Sequence, residues 1–166
     1  MATHGWTTLL AGMRTPRIYV DTSVFGGCFD PEFERASRRF FELVRSGRIL
    51  AIVSEVVADE LLDAPRRVRS ILDELPPEVV ETRIIDSETE ALRDAYLASG
   101  VVPPRSTNDA THVAAATVAR ADAITSWKFR DIVRFDRMRG FQGVNHQRGY
   151  AQVMILSLQG VQFDDT

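Results

Sequence analysis

Short strand-like runs of apolar residues alternate along this chain with longer segments whose apolar residues recur at helical spacing. The runs predict five β-strands, at residues 17–20, 49–53, 79–85, 123–126 and 152–157. The second run is apolar at every position, as is usual for a strand buried on both faces of a parallel sheet. This alternation predicts an α/β fold in which a mostly parallel central sheet carries helices on both faces.

Capping and helix-breaking residues indicate where the predicted helices begin and end. Asp30 followed by Pro31 is typical of a helix start, and Gly47 is typical of a helix end. Ser87 and Glu90 have the spacing of a capping box. These signals and the apolar spacing predict five helices, at residues 32–45, 54–62, 65–75, 87–99 and about 107–120.

The bulk composition is that of one globular domain. The chain has 166 residues, of which 45% are hydrophobic and 26% charged, enough to bury a sizeable core. We expect a flexible leader at residues 1–16 and a single domain at residues 17–160. No apolar run reaches the roughly 18 residues of a membrane span. The single cysteine, Cys28, is expected to be structural and fits a reducing, cytoplasmic compartment.

Four acidic residues lie where the predicted sheet would present its crevice, beyond the carboxyl ends of parallel strands. Asp21 directly follows the first strand, Glu60 lies on the helix after the second, and Asp131 follows the fourth. Asp109 opens the last predicted helix. Each acid alone also has a structural explanation: Asp21 can cap a turn, Asp109 can stabilise a helix N-terminus, and Glu60 can be solvent-exposed.

The four acids together suggest a chemistry that none of them suggests alone. Several carboxylates in one crevice form a hard-oxygen site suited to Mg²⁺ or Mn²⁺. The reaction that such a site favours is hydrolysis of a phosphodiester, with a metal-activated water as the nucleophile. An aspartyl-phosphate phosphatase would instead need a second aspartate two residues after Asp21, where this chain has Ser23.

Basic residues near the acids are candidates for substrate contacts. His112 shares a helical face with Asp109, so it could orient that acid, contact substrate or simply pack in the core. Lys128 is the only lysine among 20 basic residues, and the net charge is −3. A nucleic-acid contact must therefore be local. Arg130 and Arg134 belong to an arginine-rich C-terminal third, which is either an RNA-facing patch or ordinary solvated surface.

Four segments resemble the PIN-domain family, and within it the ribonuclease toxins of VapC type. They occur in the family's order, at residues 19–25, 54–61, 108–114 and 125–132. The resemblance implies a three-layer α/β/α sandwich and a Mg²⁺- or Mn²⁺-dependent endonuclease of single-stranded RNA. It also implies a cognate antitoxin that wraps the protein, and a homodimer. Asp21, Glu60 and Asp109 match the family's core acids.

The fourth position of the site departs from the family pattern. Lys128 stands where the family often has Asn or Asp, and Asp131 matches a position that is sometimes acidic. Lys128 could replace the charge of one metal, could weaken metal binding, or could point to solvent beside Trp127. We expect Asp131 to supply the fourth carboxylate and Lys128 to lower metal affinity without abolishing it. The alternative function is a catalytically weakened PIN-like module that acts by binding a protein partner.

Overall fold

The computed structural model describes residues 14–129 and 131–159. Most of the expected leader, Arg130 and the expected last residue of the domain lie outside this range. All five predicted strands are present, although several are shorter than the sequence pattern predicts. They are β1 (Arg17–Val20), β2 (Leu50–Ser54), β3 (Val80–Arg83), β4 (Ala123–Thr125) and β5 (Met154–Leu156).

The strands form one sheet in the order β3-β2-β1-β4-β5, and every neighbouring pair is parallel. The predicted parallel sheet is therefore confirmed. The chain builds β2 and β3 on one side of β1, then returns to build β4 and β5 on the other side. The direction of strand addition reverses between β1 and β4. In open α/β sheets, a ligand crevice lies beyond the carboxyl ends of the strands at such a switch point.

Seven α-helices and two short 3-10 helices occur within the described residues. None of these helices is long and apolar enough to cross a membrane. The 3-10 helices are Pro77–Val79 and Pro104–Ser106. The α-helices are α1 (Thr22–Gly27), α2 (Glu34–Arg45), α3 (Glu55–Leu62), α4 (Arg66–Asp73), α5 (Ser87–Ala98), α6 (Thr107–Val118) and α7 (Phe135–Gln147).

Crossovers between parallel strands are almost always right-handed, and this rule assigns the helices to the two faces of the sheet. The crossovers from β1 to β2 and from β2 to β3 run in the same direction, so α1 to α4 share one face. The crossover to β4 runs the other way, so α5, α6 and α7 cover the opposite face. Helix α1 packs on α2, α3 and α4, and α5 packs on α6 and α7. The two groups meet where Glu60 on α3 contacts His112 on α6. The three-layer α/β/α sandwich is therefore confirmed.

The sequence pattern does not predict α1 or α7. The glycines at the end of α1 suggest a tight turn after Asp21, and two glycines inside α7 lower its helix propensity. One of them, Gly140, lies against Val101: a Cβ at this glycine would come within 2.9 Å of the Val101 Cγ1 atom. The residue that weakens the helical pattern is thus the one that allows α7 to pack closely.

Two helix starts also differ from the prediction. Helix α2 begins at Glu34 instead of residue 32, because residues 31–33 form a turn in which Asp30 accepts a hydrogen bond from the Glu32 amide (2.9 Å). Helix α5 is capped by Asp86, whose Oδ1 accepts from the amide and the hydroxyl of Thr89 (2.9 and 2.7 Å). The capping box expected at Ser87 is therefore wrong by one residue, since aspartate is an equally good N-cap.

Cys28 is a core residue, as expected. It is completely buried, and its thiol lies 3.8 Å from the carbonyl oxygen of Val24. Burial raises the pKa of the Cys28 thiol to about 11, so the thiolate that a nucleophile needs is scarce at neutral pH.

Candidate active site

Asp21 lies at the switch point of the sheet, where β1 and β4 end together. Its amide donates to the carbonyl oxygen of Thr125 (3.0 Å), which ties the two strand ends to each other. Its side chain is the N-cap of α1, because Oδ2 accepts from the amide and the hydroxyl of Ser23 (3.3 and 2.6 Å). Oδ2 also accepts from the hydroxyl of Ser126 (2.9 Å). One carboxylate oxygen is therefore held in place from both sides.

The other carboxylate oxygen of Asp21 is free. Asp21 is completely buried, yet its Oδ1 has no hydrogen-bond partner among the described residues. The Nε2 of His112 lies 3.4 Å from this oxygen. A buried carboxylate oxygen without a partner is costly, so this atom is the clearest candidate for a cation ligand in the crevice.

Glu60 is held beside Asp21 by a chain of buried polar groups. Its Oε1 accepts from Thr22 Oγ1 (3.0 Å) and from His112 Nε2 (2.5 Å). The Nδ1 of His112 pairs with the Tyr19 hydroxyl (2.8 Å), which in turn pairs with Ser54 (2.6 Å). A carboxylate only accepts hydrogen bonds, so the Nε2 of His112 carries a proton and donates it to Glu60.

Opposing effects act on the pKa of Glu60. Burial raises the pKa, but the hydrogen bond and the charge of His112, with a further hydrogen bond from Thr22, outweigh it and leave the pKa below its ordinary value. Glu60 is therefore ionised at neutral pH. Burial also raises the pKa of Tyr19 far above its ordinary value, so the tyrosine remains a neutral hydroxyl that positions His112.

His112 lies inside the protein and not on the crevice surface. Its side chain is completely buried, and its ring packs edge-on against Tyr19 with the centroids 5.8 Å apart. The substrate contact expected of His112 is inconsistent with this burial. The structure supports the other two interpretations, since the ring both packs in the core and orients an acid. That acid is Glu60, on another element, and not its helical neighbour Asp109.

Asp109 lies in the first turn of α6 and is paired with the lysine. The Nζ of Lys128 donates to Asp109 Oδ1 (2.5 Å), with the Lys128 side chain 29% exposed and that of Asp109 only 10% exposed. Lys128 therefore enters the crevice, and the interpretation in which it points to solvent is wrong. Trp127, its neighbour in sequence, is buried, with only 6% of the residue exposed.

All three acids act electrostatically on Lys128. Burial lowers the pKa of Lys128, but the charge of Asp21 and the contact with Asp109, with a smaller effect of Glu60, outweigh it and raise the pKa above its ordinary value. Lys128 is therefore a fixed positive charge at neutral pH. The acids predicted from separate segments do converge, and their common neighbour is a cation of the protein itself.

The predicted cluster of four metal-binding carboxylates is not present in this form. Among the described residues, no three His, Cys, Asp or Glu side chains share a position for a metal ion. Mg²⁺ usually keeps several waters and is held by only one or two carboxylates. The crevice fits an ion bound in that way, because Asp21 Oδ1 is free, but it does not fit an ion enclosed by four acids.

Asp131 is separate from the other acids. It is half-buried in the segment after β4, and within the described residues no hydrogen bond or ion pair joins it to Asp21, Glu60 or Asp109. Its charge instead helps to raise the pKa of Arg134, after the larger effect of Asp136. The role of Asp131 as a fourth carboxylate of the site therefore stays a prediction.

The two arginines expected to contact RNA have different outcomes. Arg130 lies outside the described residues. Arg134 is on the surface, with its side chain 53% exposed, and its guanidinium makes a two-pronged ion pair with Asp136 (2.6 and 2.8 Å). A phosphate could reach Arg134 only in competition with, or alongside, that carboxylate.

Trp127 is part of the core and not a surface for base stacking. Its Nε1 donates to the Ser37 hydroxyl (2.8 Å), and its ring stacks on Phe33 with centroids 4.2 Å apart. Its amide donates to Ser23 Oγ (2.9 Å), so the segment that carries Lys128 is fixed to the start of α1.

Sequence reasoning missed the hydroxyl groups that support the acids. They are Tyr19, Thr22, Ser23, Ser54 and Ser126. Thr22 directly follows Asp21, Ser54 ends β2 and Ser126 directly follows β4, so a position at a strand end was the available signal.

Comparison with solved structures finds chains of similar fold. A DNA-bound VapBC from Salmonella typhimurium has a chain that matches with a TM-score of 0.54 and 16% identity, over 86% of this chain and 98% of that one. A chain of VapBC2 from Rickettsia felis, bound to a DNA fragment from its promoter, matches with a TM-score of 0.52 and 12% identity, over 85% and 98%. At such identities the likeness concerns the fold alone.

The protein therefore has a PIN-like α/β/α fold. More narrowly, its fold is similar to that of the chains matched in the VapBC structures. No protein-family model matches the sequence, and no curated protein matches it.

Proposed function

We propose that this protein is a Mg²⁺- or Mn²⁺-dependent endoribonuclease that cleaves single-stranded RNA. The observation that carries the proposal is the free, completely buried Oδ1 of Asp21, at the switch point of a PIN-like sheet and next to Glu60 and Asp109. Such an oxygen is suited to a partly hydrated divalent ion that also contacts a substrate phosphate.

Asp21 and Glu60 have different roles in this proposal. A bound divalent ion would lower the pKa of an attacking water and stabilise the leaving oxygen. Asp21 holds the ion through Oδ1, while Ser23 and Ser126 fix its other oxygen. Glu60 is ionised and only partly exposed, so it can orient the water or accept its proton.

Local positive charge would hold the RNA, since the net charge of the protein is −3. Lys128 is the proposed phosphate contact in the crevice, where a flexible ammonium acts as a point charge. Arg130 and Arg134 are proposed contacts to the flanking backbone. Unpaired RNA is favoured because its backbone can follow a local crevice without a broad basic surface.

Cleavage of a labelled single-stranded RNA tests this function. We expect cleavage with Mn²⁺ or Mg²⁺, none after chelation, and a loss of about 10²- to 10⁴-fold in Glu60→Gln, the usual effect of removing a general base. Asp21→Asn should be at least as damaging. Asp59→Asn is the matched control, because Asp59 is an exposed neighbour of Glu60 on α3. Activity that survives chelation or Asp21→Asn would refute the proposal.

We further propose that the protein is the toxin of a type II toxin–antitoxin pair, acts in the cytoplasm and forms a homodimer. The similar solved structures are VapBC assemblies, which supports an antitoxin partner. A groove between α3 and α4, of about 480 Å³, exposes 68% of Leu62 beside Arg66 and Arg69. Co-purification with the product of the adjacent gene tests the pairing, and light scattering tests the dimer.

A catalytically weakened binding module is the second candidate function. It is favoured by one observation: two of the three acids are already paired with basic groups of the protein, Asp109 with Lys128 and Glu60 with His112. This candidate predicts no Mn²⁺ binding by calorimetry and no RNA cleavage, together with a stable complex with the partner.

A further inference from the structure

Lys128 is built into the crevice by its backbone as well as by its side chain. Its amide donates to Ser126 Oγ (3.0 Å), the same hydroxyl that donates to Asp21. Its carbonyl oxygen accepts from the amides of Ile132 and Val133 (both 3.0 Å). The position of its Cα is therefore fixed by the structure that fixes Asp21, and its side chain extends from that point to Asp109.

The acids of the crevice differ in how well they are already satisfied. Asp109 has the Lys128 ammonium at 2.5 Å. Asp21 is more deeply buried, yet it keeps a free Oδ1. A divalent ion bound to Asp109 Oδ1 would have to displace the ammonium, whereas an ion at Asp21 Oδ1 would displace no hydrogen bond.

We propose that the Lys128 ammonium occupies one cation position of the crevice. The protein then binds a single divalent ion, at Asp21, and no divalent ion binds to Asp109. This inference rests on the proposed metal-dependent function and assigns its metal number. It also assigns to Lys128 a positioning role: the ammonium holds Asp109 in place of a second ion.

Calorimetric titration with Mn²⁺ at constant pH tests the inference without measuring activity. We expect one ion per wild-type chain. Lys128→Met keeps the length of the side chain and removes its charge, so we expect a second ion or about tenfold tighter binding, which corresponds to roughly 1.4 kcal/mol. Arg93→Met is the matched control, since Arg93 is ion-paired with Asp94 on α5, and its Mn²⁺ binding should equal that of the wild type.

The double variant Lys128→Met, Asp109→Asn identifies the oxygen that is released. If Lys128 blocks Asp109, the gain seen in Lys128→Met disappears in the double variant. A gain that persists there would overturn the assignment to Asp109. Lys128→Gln provides a second uncharged side chain, and thermal melts of each variant with and without Mn²⁺ establish that the folded protein is being titrated.

The outcomes separate this inference from the proposed function. Equal stoichiometry and affinity in the wild type and in folded Lys128→Met or Lys128→Gln would overturn the inference alone. Binding of two ions by the wild type would do the same. Absence of Mn²⁺ binding in the wild type and in every folded variant would overturn both the inference and the metal-dependent function.

Discussion

Replacement of His112 by phenylalanine tests the buried chain that holds Glu60. Phenylalanine keeps a ring in the core but removes both nitrogen atoms, so the bonds to Glu60 Oε1 (2.5 Å) and Tyr19 (2.8 Å) are lost. The bond to a charged group stabilises by about 1.5–3 kcal/mol, and the neutral one by about 1 kcal/mol. We take the lower part of the first range, because the Glu60 side chain is 26% exposed and keeps its bond from Thr22.

The expected loss is therefore about 2–3 kcal/mol of unfolding free energy. For a domain of this size each kcal/mol lowers Tm by about 2–4 °C, so the melting temperature should fall by about 4–12 °C. Thermal and urea denaturation at pH 7 measure it. Tyr19→Phe is the comparison variant: it removes the hydroxyl that bonds to both Ser54 and His112 and should cost about 2 kcal/mol, but it leaves the bond between His112 and Glu60 in place.

The pH dependence gives the same prediction a second readout. The lowered pKa of Glu60 stabilises the folded state at pH values above its ordinary value of 4.5, and this contribution is lost as the pH falls through the lower, folded-state pKa. His112→Phe removes the main causes of the lowering, so the variant should lose less stability than the wild type on acidification below about pH 4.5. A loss under about 1 kcal/mol at pH 7, or a stability gap that does not narrow in acid, would refute the reasoning.

Three further substitutions test other parts of the structure. Gly27→Ala would place a Cβ 2.5 Å from Ser37 Oγ and 2.6 Å from Trp127 Nε1. We expect this overpacking to lower the free energy of unfolding, measured by urea denaturation, by about 1–3 kcal/mol. An unchanged free energy of unfolding would contradict the close packing at Gly27. Asp86→Ala removes the N-cap of α5 and should lower the free energy of unfolding by about 1 kcal/mol, whereas Ser87→Ala should change it little. A larger loss in Ser87→Ala would indicate that Ser87 caps the helix instead. Asp131→Asn should leave Mn²⁺ affinity unchanged by calorimetry, and a tenfold loss would return Asp131 to the site.

The fold was predictable because its signals are local and repeated. Each strand is an apolar run, and the order of strands and helices restricts the topology to a parallel sheet. The helices that the sequence pattern misses are those in which a glycine is required for close tertiary packing. Gly27 and Gly140 lie where a side chain would collide with Trp127 and Val101, a fact that helix propensity does not contain.

The identities of the acids were predictable, but their partners were not. Asp21 is placed by the end of a strand, which a sequence pattern marks well. The contact of His112 with Glu60 joins residues 52 positions apart, and that of Lys128 with Asp109 joins residues 19 apart. Helical spacing pairs His112 with Asp109 instead, because spacing on one helix cannot indicate what lies across from it.

The pairing of charges explains how a crevice with three acids can be stable without a full set of metal ions. Two adjacent buried carboxylates repel each other unless cations or hydrogen bonds compensate. Here Lys128 compensates Asp109 and is raised in pKa by Asp21 and Glu60 as well, while His112 and Thr22 hold Glu60. Among the fully buried oxygen atoms of these three acids in the described residues, Asp21 Oδ1 alone has no hydrogen-bond partner. The proposed metal site rests on that free oxygen, whereas the binding-module alternative rests on the pairing of the other two acids, and Mn²⁺ titration distinguishes the two.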